Sequence, residues 1–470
     1  MARTPTAPTK PLKGARDFLP RDLVRRNRVF QVLRATFERY GYEPLETPAI
    51  EHASVLEGKY GEEGERLLFR ILKLGRDLET GADDAFKNEN RSAGALARSL
   101  SESALRYDLT VPFARVIAAR QNDIVMPFRR YQIQPVWRAD RPQRGRFREF
   151  YQCDVDCVGS RSMTVDAEMV AIHHEVFSRL GFTGFVTQIN HRGLLDGMME
   201  ASGVPQEQRN AALVAIDKFD KIGADGVRGE LARAEIAEQA IERLMDLIAI
   251  SGTPQTILDA LRPQVAQTAQ GETGIRELDE TLAYVQALGV PQDRYELKLS
   301  MVRGSAYYTG VIYETILPEA GLGSLGGGGR YDKLIGMFLG RDLPAVGISF
   351  GMERIFVALE EAGLLDDQTI TTTQVLVTLF APETVAASFA LADALRQAGI
   401  NTEVYTEPKG IGAQLSFADK KGIPLACILG PDEMARGEVK LRNMRTRAEQ
   451  SVALAEAPQQ AQATLLAGEA

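Results

Sequence analysis

The sequence predicts an α+β chain in two parts: a body built around a long antiparallel hairpin, and a small parallel-rich α/β domain behind it. Three observations carry this. Residues 128–159 alternate polar and apolar side chains along two extended arms, separated by a loop that holds Pro142 and Gly145. Residues 194–290 shift to charged, helix-spaced segments such as LARAEIAEQAIERLMDLIAI, the character of an insertion packed on one side of a core. Beyond a polar linker at 366–373 (DDQTITTT), strand and helix patterns follow in the order β-α-β-α-β-β.

The elements follow in chain order. The first residues, MARTPTAPTKPLKGARDF, are basic but lack the apolar run of a secretory signal, so residues 1–11 are expected to form a flexible tail. Helical spacing of Leu23, Val29, Leu33 and Phe37 predicts a helix over 22–40, stopped by Gly41. Pro44 and Pro48 then favour an extended stretch at 43–50. RYDLTVP at 106–112 reads as extended, with Asp108 and Thr110 on one strand face, before an apolar helix that starts after Pro112. A helix is expected over 164–180, with His173-His174 packed in its core face. Strands resume at 295–302 and 311–317. Four glycines at 326–329 read as a strand that a ligand can approach closely. AVGISFGMERI places an extended piece before a helix bearing Arg354. The resulting domains are 12–365, with the insertion at 194–290, and 374–456, followed by a disordered Ala/Gln-rich tail at 457–470.

Composition excludes several classes. No run approaches the ~18 apolar residues of a membrane span. Three cysteines are too few for a disulfide framework and fit a reducing cytoplasm. Cys153 and Cys157, four apart on a strand, stand roughly 13 Å apart, too far to share a common ion, so no metal site is expected from side chains. The four histidines form no catalytic pattern. A net charge of −8 argues against broad coating of nucleic acid, so such a partner should be met by local patches.

The hairpin is such a patch. From Phe128 to Arg148 it carries seven arginines against one acid, Asp140, interleaved with Tyr131, Trp137 and Phe147. Alternation puts Arg130, Gln132, Gln134 and Arg138 on one face of the first arm. On the second arm Arg146, Arg148, Phe150, Gln152, Asp154 and Asp156 share a face. That face grades from arginine, suited to phosphate, to Gln152 and Asp156, suited to a polar or cationic group. A nucleotide at one end and a small substrate at the other would fit it. The glycine run is not a P-loop, since no Gly-Lys-Ser/Thr follows.

The order of these pieces resembles motifs 1, 2 and 3 of class II aminoacyl-tRNA synthetases. KGARDFLP, GKYGEEGERLLF, RYDLTVPFAR, the whole hairpin, AIDKFDKIG, RGSAYYTG and GGGGRYDKL resemble the histidyl-tRNA synthetase family over nearly the entire chain. The resemblance implies an antiparallel six-stranded catalytic core with a helical insertion, and a C-terminal α/β anticodon-binding domain. It also implies a homodimer joined through residues 37–50. The implied reaction is activation of L-histidine by ATP, accompanied by Mg²⁺, and transfer of histidine to the 3′ end of histidine tRNA. No tightly bound cofactor is implied, nor any membrane contact.

Residue by residue, the resemblance implies that Arg138 and Arg303 flank the α-phosphate as the catalytic pair and also touch histidine. Arg146 and Arg354 would clamp the outer phosphates, with Phe150 and Arg354 about the adenine. Asp108, Leu109, Thr110 and Gln152 would hold the α-amino group, and Asp156, Tyr307 and Tyr308 would read the imidazole. Arg141 and Gln143 in the hairpin loop would meet the tRNA acceptor end. The chain departs from the family at Ser305-Ala306, where Leu-Asp or Leu-Asn is usual. The alternative is a synthetase-like regulatory subunit of ATP phosphoribosyltransferase that charges no tRNA.

Overall fold

In the computed structural model, which describes residues 9–59, 61–87, 92–302, 307–365, 370–407 and 409–467, the hairpin is the longest strand pair. Phe128–Trp137 runs antiparallel to Glu149–Val158 in unbroken register, from Phe128 opposite Val158 to Trp137 opposite Glu149. Around it lies an eight-stranded sheet in the order Glu43–Pro44, Phe128–Trp137, Glu149–Val158, Ala345–Gly351, Ser324–Arg330, Val311–Ile316, Val186–His191, Tyr295–Leu297.

The central six strands are antiparallel, and each outermost strand pairs parallel with its neighbour. The sheet is therefore mixed, which corrects the expected purely antiparallel six-stranded core. Both additions have a physical reason. Pro44 lacks a backbone N–H, which confines Glu43–Pro44 to a short edge. Val186–His191 and Tyr295–Leu297 are joined by the helical insertion, the kind of long crossover a parallel pair requires. The insertion runs from Arg192–Ser202 to Ala269–Ala287.

The apolar face of the hairpin packs under helices. Phe37, from the helix Pro20–Arg39, meets the rings of Tyr131 and Phe350 at 5.6 and 5.8 Å. From Met163–Arg179, His173 and Phe177 reach Phe350 at 5.0 and 5.8 Å. Cys153, Val155 and Cys157 are buried on the same side. The polar face is left to line a cleft.

Two further expectations change. Asp108 and Thr110 do not share a strand face, because the helix begins at Thr110 and runs to Arg120. Asp108 Oδ1 accepts from the Val111 N–H at 3.1 Å, a local bond that suits the first turn of a helix. The tail from residue 457 is not disordered over its described length: Ala457–Ala467 is a helix whose Ala457 and Ala461 are buried beside Leu391 and Leu395. Alanine buries little area, so its contribution to a hydrophobic pattern is faint. Of the expected N-terminal tail, residues 1–8 lie outside the described residues.

By its internal packing the chain divides into two units, Met1–Arg16 with Phe30–Leu364, and Asp17–Val29 with Leu365–Ala470. The second holds a five-stranded sheet ordered Thr402–Val404, Val375–Val377, Leu425–Ile428, Glu438–Asn443, Glu449–Ala453. Its first three strands are parallel and the remaining pairings antiparallel. Among the described residues no helix is long and apolar enough to cross a membrane.

The glycine strand supplies a stability prediction. A Cβ on Gly328 would stand 1.9 Å from the carbonyl oxygen of Gly347 and 2.7 Å from the Ile348 Cα, backbone atoms of the neighbouring strand that cannot swing aside. Gly328→Ala should lower stability by ~1–3 kcal/mol. Gly229, in the helix Phe219–Arg233, faces open space. Gly229→Ala should raise stability by up to ~1 kcal/mol through helix propensity. Urea-unfolding midpoints of the two variants should move in opposite directions.

Candidate active site

The polar face of the hairpin, together with Ser324–Arg330 and Ala345–Gly351, floors a cleft of about 620 Å³. Glycine keeps this floor open. A Cβ on Gly347 would fall 1.9 Å from Asp156 Oδ1, so only glycine there leaves room for the carboxylate. From Phe150 to Asp156 the second arm spans roughly 20 Å at the usual strand rise, enough for two unlike ligands end to end.

At the hairpin-loop end the cleft is cationic. Arg138 donates from Nε to the Tyr107 carbonyl at 3.0 Å. Its guanidinium lies over the rings of Tyr107 and Phe150, at 4.2 and 5.2 Å, which fixes its plane. Arg354 starts the helix Met352–Glu361 and donates to the Ser324 carbonyl at 2.7 Å. Gly145 packs against its stem. Arg146 lines the same wall.

Four other arginines of the patch have partners within the protein. Arg129 pairs with Glu168 at 2.7 Å, and Arg130 with Asp156 at 2.7 Å. Arg144 pairs with Glu361, and Arg148 Nε donates to the Asp140 carbonyl at 3.1 Å. Arg141 and Gln143 stand exposed on the loop, where Gln143 and Arg146 exchange backbone bonds of 3.1 and 2.8 Å.

At the other end the cleft is acidic and buried. Asp156 takes Arg130 on one side and accepts from the Tyr331 hydroxyl on the other. Burial pushes its carboxyl up, opposed by the Arg130 charge. Asp154 is also fully buried. Burial, opposed by Arg130 and reinforced by Asp156, pushes its pKa up to about 7. Its Oδ2 lies 3.5 Å from the Thr110 hydroxyl. Gln152 donates to Ser349 Oγ at 3.0 Å. The rings of Tyr307 and Tyr308 lie 4.8 Å apart, and Tyr307 meets Tyr331 edge-on at 6.1 Å.

The cleft thus brings together Asp108, Thr110, Gln152, Asp156, Tyr307 and Tyr308 with Arg138, Arg146, Phe150 and Arg354. Leu109 is fully buried, between two residues that reach the cleft. Arg303 and Ser305-Ala306 lie outside the described residues.

Sequence reasoning assigned no role to several lining residues. Asp154 carried a signal, since it alternates with Gln152 and Asp156. Tyr331 sat unread at the end of the glycine run. Glu353 carried none: it pairs with Arg16, which stacks on Phe147 at 3.4 Å, contacts between segments far apart in the chain. Among the described residues no cluster of three or more His, Cys, Asp or Glu could hold a metal ion.

The chain is similar to known proteins over most of its length. Residues 14–85 and 93–355 match the family model described as histidyl-tRNA synthetase, and residues 374–464 match an anticodon binding domain. A histidine–tRNA ligase of Cytophaga hutchinsonii is 43% identical, over 92% of this chain and 94% of its own. One from Gloeobacter violaceus is 42% identical, over 95% and 97%. The crystal structure of histidyl-tRNA synthetase from Nostoc sp. PCC 7120 superposes with a TM-score of 0.84 at 32% identity, covering 97% of this chain and all of that one.

The buried acid sets a pH dependence. Its folded pKa of about 7 stands above the ~3.9 of an unfolded aspartate. The stability linked to its proton is therefore fully present below about pH 4 and is lost as pH rises towards 7, by at most ~1.4 kcal/mol per unit. Asp154→Asn removes this loss. Urea unfolding at pH 5 and pH 7 should show the variant gaining on the parent as pH rises.

Proposed function

The chain belongs to the histidyl-tRNA synthetase family and joins histidine to its tRNA with ATP, and from that premise we propose which of its residues carry each step. The regulatory-subunit alternative has against it the full-length match to ligases and the anticodon-binding domain.

The first step is in-line attack by the histidine carboxylate on the α-phosphate of ATP, giving histidyl-adenylate and pyrophosphate. It requires positioning and charge neutralisation rather than a strong base. Arg138 suits this because its plane is set in advance by the Tyr107 carbonyl and two rings. We assign it to the carboxylate and α-phosphate, with Arg303 on the opposite side. Arg146 and Arg354 take the outer phosphates of the magnesium complex of ATP, and Phe150 and Arg354 enclose the adenine. Asp108, Thr110 and Gln152, with the backbone at Leu109, hold the α-amino group. Asp156, held by Arg130 and Tyr331, reads the imidazole with Tyr308 and Tyr307. Rejection through buried hydrogen-bonding groups can reach ~10⁴-fold without an editing site.

In the second step the adenylate passes histidine to the 3′-terminal ribose, with Arg141 and Gln143 guiding the acceptor end. The unit that contains the anticodon-binding match reads the far end of the tRNA. We place the catalytic domain at 12–365, the anticodon-binding domain from 374, and the enzyme in the cytoplasm as a homodimer joined through residues 37–50.

The observation that carries this reading is the grading of one face of the hairpin, from Arg138 to Asp156, along an open cleft. ATP–pyrophosphate exchange over a panel of amino acids tests it. Exchange with histidine alone is expected, and exchange with a different amino acid, or none, would overturn it. Arg303→Ala should slow adenylation by ~10²–10³-fold, the scale for one preorganised donor. Binding of tRNA in a filter assay should stay near normal, and an equal loss of both would remove Arg303 from its assigned place.

A further inference from the structure

On the polar face of the second arm three side chains alternate towards the cleft, and two of them have a strong partner within the protein. The Gln152 amide donates to Ser349 at 3.0 Å. Asp156 holds Arg130 at 2.7 Å and accepts from Tyr331. Asp154, between them, is 1% exposed and lines the cleft, yet its Oδ1 receives no hydrogen bond. Its Oδ2 has the Thr110 hydroxyl at 3.5 Å, the outer limit of such a bond, and the Ser349 hydroxyl, which accepts from Gln152, also supports the carboxylate. A buried acceptor without a donor is costly, more so when charged, so the position favours a donor that arrives with a ligand.

The charges that face Asp154 say which donor. Arg130 approaches from the opposite arm, Asp156 stands on its own strand, and Asp108 comes from the segment entering the helix Thr110–Arg120. Ser349, on Ala345–Gly351, adds only a hydroxyl. Two further carboxylates therefore bear on Asp154, and Arg130, the guanidinium that faces it, already pairs with Asp156. A cationic donor answers that charge better than a neutral one. Thr110 and Gln152 flank Asp154, and both belong to the group assigned to the α-amino end of histidine, whereas Tyr331 and Arg130 tie Asp156 to the imidazole end.

We infer that Asp154 is a further histidine-binding residue whose unpartnered carboxylate oxygen takes the substrate's α-ammonium, an inference that rests on the assignment of this cleft to histidine. Burial keeps a share of Asp154 protonated near pH 7. The arriving ammonium favours the ionised form, so binding expels that proton to solvent.

Calorimetric titration of the full chain at pH 7 tests this with three ligands: L-histidine, histamine, which lacks the carboxylate, and imidazolepropionate, which lacks the ammonium. Asp154→Asn should weaken L-histidine and histamine on the order of 10- to 100-fold, as for a lost bond to a charged group, and leave imidazolepropionate nearly unchanged. Equal weakening of all three would mean that Asp154 only shapes the pocket. Weakening of imidazolepropionate alone would move it to the imidazole end, and no weakening would remove it from the site. Each of these overturns the inference.

The unmodified protein gives a test independent of the variant's folding. Paired titrations in buffers of different ionisation heat should show proton release with L-histidine and histamine but not with imidazolepropionate, and identical release with all three contradicts the proposal. If the unmodified protein binds no histidine and exchanges no pyrophosphate with it, the underlying assignment fails. If both persist while Asp154→Asn binds normally, only the role of Asp154 falls.

Discussion

The structure depends on satisfying a buried polar strand face. Two long arms carry polar residues at every second position, most of them buried or half-buried between helices and a cleft, so these side chains need partners within the protein. Many find them through one connected chain. Arg106 donates to the carbonyls of Pro135 and Thr47 at 2.8 and 2.6 Å and to Gln134 at 2.9 Å. Gln132 donates to Gln134 at 2.6 Å and accepts from Arg130 at 3.2 Å. Arg130 lies over the Phe113 ring at 4.2 Å and pairs with Asp156, which Tyr331 also holds. Breaking such a network at one point leaves a buried charge uncompensated, which costs far more than a surface pair. It therefore holds the cleft floor in one geometry.

That rigidity suits the chemistry. Attack of a carboxylate on a phosphate gains from groups aimed before the ligand arrives, because no reorganisation is then needed during the reaction. The glycine-bearing strands serve the same end by keeping backbone, not side chains, opposite the acidic residues. The protein's net negative charge does not conflict with an anionic substrate. Most arginines of the hairpin are paired within the fold, and the few that reach the cleft act locally.

Much of this was legible in the sequence. Period-two alternation gave the hairpin both its strands and its two faces, and the grading from Arg138 to Asp156 followed from residue type alone. The β-α-β order foreshadowed the five-stranded sheet, whereas residues 366–369 of the expected linker lie outside the described residues. Other features were hidden for physical reasons. Asp108, bonded to the first turn of a helix, looks like a strand residue when Pro112 follows so soon. The terminal helix buries alanines, which leave a weak pattern. Parallel edge strands depend on crossovers that no local window contains. Arg16 and Glu353 meet across more than three hundred residues, and only the folded chain brings Arg16 onto Phe147.

The central claim is that one strand face orders two ligands, phosphate at the arginine end and the amino acid at the acid end. A crystal structure with a non-hydrolysable histidyl-adenylate analogue measures this directly. The account predicts the phosphate mimic against Arg138, the adenine between Phe150 and Arg354, and the imidazole within hydrogen-bond reach of Asp156. An analogue bound in the reverse sense, or outside this cleft, would contradict it.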